Sequence, residues 1–590
     1  MSWTYELAYC RVFPALPEGS DYYQMNRYPF AGAFTWLRQG GLRLTRPRIC
    51  AIGLAALAAL VYVPFLGSPL VFDDFNVING TNFLNYAIEL RLAPRWLPYA
   101  TLAHTYVLTD GSISAMRWGN LLLHAATVIA VFALFREICL ATLDADCAAQ
   151  EREGRALVAA LLAAALFAVH PLAVYGVGYL VQRTILLSTL FTLLMLITYL
   201  RWLITGRNAL WIWSAIWYFL SMFSKEHSVM APAVALLLTV VVCRPSRALV
   251  RRLIPPFAVY IVLAAFVISL VKGVLGTLYE PDALDMMRDL QGFDDERLRV
   301  AYPLSVITQS YLYFKYLYLW VFPNVNGMSV DMREPFAASM FAAPYGAAAM
   351  AFLCYPLLAI GMALRGGRIA IAGWVLAYPW FMFATELSTV RVQEPFVLYR
   401  AYLWLALFGA LAALALYRVR ARIVLVLGLA ALCILVPLSW NRLQSMSDTL
   451  LLWEDAAKQL VHGDEPGAGR IYYNRSLALA QKGRNKEALL DMDRVARLHP
   501  RLAPVFYARA RIQFDLKQHA EALRDLNTSL ALNPDQSATY FARAITLKRM
   551  GREDEAMQDI RKSCDMKYVI ACLAAQQLGA DSAGAARGSE

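Results

Sequence analysis

The chain divides into a long apolar part and a shorter polar part. Up to residue 438, stretches of roughly 20 predominantly apolar residues, long enough to cross a bilayer, alternate with short polar turns. From Asn441 onward the sequence is polar and charged, with Ala, Leu and Arg in helical spacing. The pattern predicts an all-α protein with a membrane domain over residues 49–440 and a soluble domain over residues 441–578.

Basic residues in the loops predict the direction in which each apolar stretch crosses the membrane. Cytoplasmic loops carry an excess of Lys and Arg, so the arginines between residues 38 and 48 predict a cytoplasmic N-terminal tail over residues 1–48. Following this bias along the chain predicts about 11 spans and an outer-face, periplasmic C-terminal domain. The predicted spans are residues 49–70, 116–140, 156–168, 184–204, 209–223, 229–242, 253–274, 346–364, 369–384, 396–417 and 423–438.

One apolar stretch does not fit this order. Residues 301–322 are long enough to cross, yet they contain Gln309, Ser310 and Lys315. If they crossed, the basic turn at residues 365–368 would lie outside, against the charge bias. We therefore expect a re-entrant segment or a helix lying at the interface.

Composition agrees with a polytopic membrane protein. The chain of 590 residues is 59% hydrophobic and 17% charged, whereas soluble proteins average about 45–50% apolar and about 25% charged residues. The net charge of +12 fits basic loops at a membrane as well as a nucleic-acid role and does not decide between them. We predict no nucleic-acid partner. The nine cysteines lack metal-binding spacing; Cys564 and Cys572 are either a disulfide, if the tail is periplasmic, or two free thiols.

The polar part contains an internal repeat. Aromatic, turn and alanine positions recur at a period of 34 residues, which is typical of tetratricopeptide repeats. The recurring positions are Tyr473, Tyr507 and Phe541; Gly483, Lys517 and Gly551; and Ala488, Ala522 and Ala556. We predict repeats over residues 469–502, 503–536 and 537–570, followed by a disordered tail over residues 579–590. Stacked repeats form a groove that holds an extended peptide, or serve as a passive scaffold.

Ionisable residues in or beside the apolar stretches are the candidates for chemistry, because lipid-facing helices exclude them. They are Asp73, Asp74, His124, His170, Arg183, Lys225, Glu226, Glu386, Glu394 and Arg400. Apart from His124, the predicted topology puts all of them at or near the outer face, which indicates one site. Each has a structural alternative. The acidic pair can bond backbone donors at a helix start, His124 can be a core residue, and Lys225 and Glu226 can pair with each other.

Several short motifs follow one another along the apolar part of the chain. They are Phe72-Asp73-Asp74, Asn120 to His124, Phe167 to Pro171 with Arg183, Phe223 to Glu226, Tyr316 to Pro323 with Ser329 and Asp331, and Glu394 to Leu403. In this order, the motifs resemble those of the transmembrane and tetratricopeptide repeat-containing O-mannosyltransferases. The resemblance covers nearly the whole chain after the N-terminal tail, and it rests on the shared order of the motifs rather than on any one of them.

The resemblance implies a GT-C glycosyltransferase, which takes a sugar from a polyprenyl-phosphate donor outside the cytoplasm. It places Asp73 or Asp74 in the catalytic acidic motif of the first outer loop. Three departures leave the sugar open. Leu172 to Tyr175 stand where the family has an acidic residue, Thr184-Ile185 where it has a small residue and Asp, and Pro395-Phe396 where it has Arg-Val.

The implied reaction assigns roles by charge. The donor leaves as a phosphate, so cationic side chains assist departure, and we assign this to Arg183 and Arg400, with Lys225 as a third candidate. A carboxylate accepts the proton of the acceptor hydroxyl, which suits Asp73 or Asp74 without deciding between them. The supporting residues are His170, Glu226, Glu386, Glu394 and Tyr399. We expect inversion at the anomeric carbon and no required metal or other cofactor.

Three hypotheses follow. The first is an inner-membrane glycosyltransferase that modifies Ser or Thr of exported proteins, with the repeats holding the polypeptide. The second keeps the donor but makes the acceptor a lipid-linked glycan or surface polysaccharide. The third is a non-catalytic scaffold for secretion or envelope assembly.

Overall fold

The chain is described here by a computed structural model covering residues 46–80, 82–243, 245–271, 294–391 and 394–577. The regular secondary structure of these residues is helical, which confirms the predicted all-α class. Most of the predicted N-terminal tail and the whole predicted disordered tail lie outside the described residues.

The described residues form two compact units. The first extends to Val330 and resumes from Phe336 to Ser447; the second comprises Asp331–Pro335 and the residues from Asp448 onward. The predicted domain boundary at residue 440 falls within the last helix of the first unit.

The first unit is a set of helices joined by short turns. Its α-helices are, in order, α1 Arg46–Tyr62, α2 Asp74–Ile78, α3 Asn85–Ile88, α4 Trp96–Leu108, α5 Ile113–Thr142, α6 Ala149–Ala168, α7 Pro171–Val177, α8 Arg183–Thr205, α9 Asn208–Ser224, α10 Ala231–Val242, α11 Arg247–Leu270, α12 Asp295–Arg299, α13 Ala301–Val321, α14 Tyr345–Ala363, α15 Gly367–Phe383, α16 Ala401–Trp404, α17 Ala410–Ala415 and α18 Ala421–Ser445. Short 3₁₀ turns at Leu180–Gln182, Glu226–Ser228, Ala384–Leu387 and Leu398–Arg400 adjoin the long helices.

Seven of these helical segments are long and apolar enough to cross a membrane. The pair α6 and α7, bent by 63°, makes an eighth if it counts as one broken span. The seven are Arg46–Phe65, Ile113–Thr142, Leu180–Thr205, Arg247–Leu270, Tyr345–Ala363, Gly367–Leu387 and Ala421–Ser445. Together with the bent pair they overlap eight of the predicted spans.

The other three predicted spans have different structures. Residues 209–223 lie in α9, which has 17 residues, and residues 229–242 lie in a shorter apolar helix, Glu226–Val242. Residues 396–417 do not form one helix; they break into a 3₁₀ turn, α16, turns and α17. Residues 400–410 are all buried, and irregular backbone at membrane depth is tolerated where protein surrounds it.

The segment at residues 301–322 forms one unbroken helix, α13, of 21 residues. It is thus a single helix rather than a helix-turn pair. Gln309 and Ser310 are buried, and the Gln309 amide donates to the Pro395 carbonyl, in the segment that follows α15, at 2.8 Å. The position of α13 relative to a bilayer stays a prediction.

Local chemistry sets several helix ends in the first unit. The Ser112 hydroxyl accepts from the Ala115 N–H at 3.3 Å and caps α5. Gly206, with a φ of 73°, ends α8 in the left-handed conformation that glycine favours. Gly373 lets α14 and α15 approach closely, since a Cβ there would lie 2.4 Å from the Ala359 carbonyl oxygen.

The second unit is an array of helix pairs. Its helices are α19 Thr449–Lys458, α20 Ala468–Gln481, α21 Asn485–Leu498, α22 Ala503–Asp515, α23 His519–Leu532, α24 Ser537–Arg549 and α25 Glu553–Asp565. The turn positions that recur in the sequence have positive φ values of 75° at Gly483, 64° at Lys517 and 78° at Gly551. The 34-residue period therefore includes a left-handed residue between the two helices of each pair, where glycine is favoured.

Each pair carries the same partly buried ion pair. The guanidinium groups of Arg475, Arg509 and Arg543 each bind both carboxylate oxygens of an aspartate on the second helix, at 2.6–2.8 Å. Arg509 also reaches back to Asp493 of the preceding pair, at 3.0 Å. Bidentate pairs fix geometry as well as charge, so this ladder sets the register of neighbouring repeats.

Replacing Arg509 with alanine is expected to loosen the second repeat, because it leaves the mostly buried Asp525 carboxylate without its cation. A hydrogen bond to a charged group contributes about 1.5–3 kcal/mol, and 1.4 kcal/mol is a factor of about ten. We expect backbone amides in α23 to exchange about 10- to 100-fold faster, measured by hydrogen exchange of the full chain. The control is Arg524→Ala, whose ion pair with Glu521 is exposed and should leave exchange unchanged. Equal effects of the two changes would contradict the role of the ladder.

Candidate functional site

Two adjacent carboxylates after α1 have different environments. Asp74 is fully buried. Its carboxylate accepts N–H bonds from Val181 at 2.9 Å, from Val71 at 3.2 Å and from Leu180 at 3.4 Å. Asp73 is half-buried, and its backbone N–H donates to the Tyr179 hydroxyl at 2.8 Å. Asp74 thus holds the loop to the turn before α8, while Asp73 keeps partial access to solvent.

The loop that carries this pair is strained at one residue. Phe72 has a φ of +51°, a left-handed conformation that is rare for bulky side chains. Such strain persists only where surrounding contacts enforce it, and it concentrates at functional sites. Here an apolar cluster provides those contacts, in which Leu70 and Ile78 pack with Leu102, Met116 and Leu180.

Arg117 supports the same loop from α5. Its guanidinium donates to the backbone carbonyls of Ser68, at 3.1 Å, and of Pro69 and Gly178. It also interacts electrostatically with Asp74. The residues before Phe72 and the residues before Tyr179 are therefore fixed to one helix.

Stability should depend on pH through Asp74. Burial raises the pKa of its carboxyl to about 7, although the Val181 N–H and the Arg117 charge lower it. The unfolded carboxyl titrates near about 3.9, so the native state holds more protons between these values. The free energy of unfolding should then fall as pH rises from about 4 to about 7 and level off above. We expect this pH dependence in thermal melts of the wild type and its loss in Asp74→Asn; identical profiles would contradict it.

A buried group of cations lies on the segments that follow α9 and α15. Lys225 Nζ donates to the Gln182 side-chain oxygen at 3.1 Å. Arg400 donates to Glu386 at 2.7 Å, and Arg391 pairs with the same carboxylate oxygen at 3.1 Å. The other oxygen of Glu386 bonds His227 Nε2 at 2.7 Å. Beside this group, Arg95 pairs with Glu226.

Lys225 differs from the neighbouring arginines in its hydrogen-bond partner. Arg391 and Arg400 share the carboxylate of Glu386, whereas the hydrogen bond of Lys225 goes to a neutral amide. Burial lowers the pKa of Lys225 well below its usual value, and the charge of Arg95 lowers it further. An anion placed against Lys225 would reverse both effects, because an opposite charge favours the ammonium form.

Aromatic rings connect the acidic loop to the cations. The Phe72 ring meets the Tyr179 ring edge-on, with centroids 6.0 Å apart. Tyr179 in turn meets Tyr399 edge-on at 6.1 Å. The Tyr399 ring lies 4.5 Å from Lys225 Nζ and 5.7 Å from the Arg400 guanidinium carbon. Half-buried Asp73 and half-buried Tyr399 therefore belong to one continuous set of contacts that ends at Lys225 and Arg400.

Two residues predicted from the sequence bond neighbouring segments of the protein. Arg183 is buried, and it donates to the Asn120 side chain at 2.8 Å and to the Met116 carbonyl at 2.7 Å. A Cβ on Gly119 would lie 2.5 Å from its guanidinium, so α5 is built around this arginine. His170 accepts from the Leu172 N–H at 3.2 Å and caps α7. Arg183 thus joins α8 to α5, and His170 sets the start of α7.

The remaining predicted residues fall into two groups. Lys225, Glu226, Glu386 and Arg400 lie in or beside the cation group, and the half-buried Glu394 acts electrostatically on Arg400 and Tyr399. His124 bonds the Tyr402 hydroxyl at 2.7 Å and the Ala168 carbonyl at 3.0 Å, as expected for a core histidine. The described residues contain no group of three or more His, Cys, Asp or Glu placed to hold a metal ion.

Sequence reasoning missed several members of the site. They are Arg95, Tyr179, Gln182, His227 and Arg391. Weak signals existed for two of them. His227 directly follows Lys225 and Glu226, and the predicted topology puts Arg95 on the outer face, where the charge bias disfavours arginine. Tyr179 and Gln182 carry no such signal, because their importance comes only from side chains that are distant in sequence.

Comparison with known proteins identifies the repeats. The tetratricopeptide repeat family matches residues 503–536 and 537–568. No curated protein matches the chain. One solved structure, described as MamA AMB-1 C2221, is 18% identical over 23% of this chain and 77% of that chain, with a TM-score of 0.19. The family match shows that residues 503–536 and 537–568 are tetratricopeptide repeats, a class of repeat that commonly binds proteins.

Proposed function

We propose that this chain is a membrane glycosyltransferase of the GT-C type. It transfers a sugar from a polyprenyl-phosphate donor to Ser or Thr hydroxyls of exported polypeptides. The observation that supports this most strongly is the set of contacts that joins a half-buried carboxylate, Asp73, to buried cations at Lys225 and Arg400. A carboxylate and cations within one site are what transfer from a phosphate leaving group requires.

The environments of the two carboxylates support Asp73 as the base. A general base must reach the proton of the acceptor hydroxyl, and Asp73 is half-buried. Asp74 is enclosed by three backbone N–H groups. Its role is to hold the loop, and Arg183 likewise holds α5 and α8 rather than the phosphate.

The transfer is a single displacement. The acceptor oxygen attacks the anomeric carbon as its proton passes to the Asp73 carboxylate. The bond between the anomeric carbon and the phosphate oxygen breaks, and its electron pair leaves with the polyprenyl phosphate. Lys225 and Arg400 stabilise the negative charge that develops on that phosphate. Attack from the opposite face inverts the anomeric centre.

Membrane placement and orientation belong to the same proposal. About 11 spans would hold the first unit in an inner membrane, with the acidic loop and the repeats on the periplasmic side. In the second unit, Cys564 and Cys572 form a disulfide. Disulfides persist in oxidising compartments such as the periplasm, which supports that side for the repeats. Their groove would present the acceptor polypeptide.

The test is reconstitution. The full chain in proteoliposomes is supplied with polyprenyl-phosphate hexoses or pentoses and with Ser- and Thr-containing peptides, and products are analysed by mass spectrometry. We expect a glycosylated peptide with inverted anomeric configuration, and equal activity in a chelator. A retained configuration would contradict the single displacement. No product with any donor and peptide would contradict the proposed function.

Two other functions remain as candidates. The tetratricopeptide match favours a non-catalytic scaffold, since such repeats commonly bind proteins. In that case the cellular phenotype would be the same for Asp73→Asn as for the wild type, whereas deletion of the protein would change the phenotype. A lipid-linked glycan or surface polysaccharide acceptor would be indicated if deletion of residues 448–590 preserved glycan modification in cells.

A further inference from the structure

Tyr179 is buried between the acidic loop and the cation group. Its hydroxyl oxygen accepts the Asp73 backbone N–H at 2.8 Å, and its own O–H bonds the Asp73 carboxylate. Its ring contacts Phe72 on one side and Tyr399 on the other. One side chain therefore bonds both the backbone and the carboxylate of the proposed base.

The residues beside Tyr179 bind the neighbouring carboxylate. The backbone N–H groups of Leu180 and Val181 donate to Asp74. The contact between residues 73–74 and 179–181 thus includes one side-chain hydroxyl and two backbone donors. Of these three groups, the hydroxyl is the one that bonds Asp73, so Tyr179 contributes to the orientation of that carboxylate.

The phenol stays protonated where it lies. Burial raises the pKa of Tyr179 well above its usual value, and the charges of Asp73 and Asp74 raise it further. A protonated phenol donates to a carboxylate but cannot accept the proton of a substrate. This excludes Tyr179 as the base and leaves it a hydrogen-bond donor.

We propose that Tyr179 is a positioning residue that orients the Asp73 carboxylate toward the acceptor hydroxyl through its phenol. The inference rests on the proposed function. The hydroxyl and the ring have separate roles. The hydroxyl orients the Asp73 carboxylate, while the ring packs between Phe72 and Tyr399, and Tyr399 contacts Lys225 and Arg400. A phenylalanine keeps the ring contacts and removes only the hydrogen bonds of the hydroxyl.

The test compares Tyr179→Phe with Tyr62→Phe in the reconstituted full chain. Tyr62 is a matched control, since its buried hydroxyl has no hydrogen-bond partner among the described residues. Misplacing a reacting group by about 1 Å costs about 100-fold. We expect Tyr179→Phe to lower kcat by about 10- to 100-fold with an unchanged KM for the donor, and Tyr62→Phe to leave both unchanged.

A second measurement does not depend on activity. Hydrogen exchange of the peptide containing residues 71–76 should be faster in Tyr179→Phe, because the Asp73 N–H loses its acceptor, and unchanged in Tyr62→Phe. Wild-type transfer with equal kcat in both variants would overturn the inference and leave the proposed function standing. Unchanged exchange at residues 71–76 would overturn it as well. A wild type without transfer would instead reject the proposed function, and with it the role of Tyr179.

Discussion

Replacing Asp73 with asparagine is expected to lower kcat/KM for sugar transfer by about 10²- to 10⁴-fold, the usual contribution of a positioned general base. The amide is nearly the size of the carboxylate but cannot take up the proton of the attacking hydroxyl. Because Asp73 is half-buried and its backbone N–H still reaches Tyr179, the melting temperature should stay at the wild-type value. The measurements are initial rates in proteoliposomes and thermal melts of the same preparations.

Asp74→Asn is the matched control, since it makes the same change one residue further on. The asparagine N–H₂ group would be placed against backbone N–H donors, so a stability loss of about 1–3 kcal/mol is expected at neutral pH. The two variants should therefore separate: an inactive, stable Asp73→Asn and a destabilised Asp74→Asn that keeps residual activity. If Asp73→Asn kept full activity and a stable Asp74→Asn lost it, Asp74 rather than Asp73 would be the general base.

Lys225→Gln is expected to have the second large effect, a fall in kcat of about 10²- to 10³-fold, comparable to the loss of one preorganised charge-stabilising donor. Lys225 is buried against Tyr399 and bonds the neutral Gln182. Burying an ammonium group whose hydrogen bond goes to a neutral amide costs stability, so the melting temperature should stay equal or rise. Activity that falls while stability does not would identify a functional cation. Lys482→Gln, on an exposed helix end of the second unit, is the control.

Adding inorganic phosphate to the same thermal melts tests whether Lys225 binds an anion. Anion binding to the native state stabilises it by mass action, so phosphate should raise the melting temperature of the wild type more than that of Lys225→Gln. An equal rise in both proteins, with equal activity, would mean that Lys225 does not face the donor phosphate.

The repeats were the most predictable part of the fold. A period in sequence translates directly into a repeated structure, because each helix pair packs mainly on its neighbours. The left-handed turn at Gly483, Lys517 and Gly551 was visible as a recurring position. The ladder of Arg475, Arg509 and Arg543 obeys the same period, yet its partners on the second helices follow from packing rather than from spacing alone.

The apolar stretches were predictable as helices but not always as single helices. Hydropathy reports burial in an apolar medium and does not distinguish lipid from protein. Residues 401–410 are apolar and all buried in protein, where an irregular backbone with short helices is tolerated. The length and hydropathy of residues 396–417 alone did not predict this break.

The candidate site was predictable in its residue types and less so in its pairings. Asp73, Lys225, Glu386 and Arg400 stood out because ionisable groups are costly beside apolar stretches. Arg183 stood out for the same reason, but its bonds to Asn120 and Met116 show that a buried arginine also serves to join helices. Spacing along the chain cannot separate these uses, since the partners come from distant segments.

The most direct measurement is a cryo-electron microscopy structure of the full chain with a bound polyprenyl phosphate. We predict phosphate density within hydrogen-bonding distance of Lys225 or Arg400, beside the Tyr399 ring. Density for the phosphate at Arg183, or at a place remote from both Asp73 and Lys225, would contradict it.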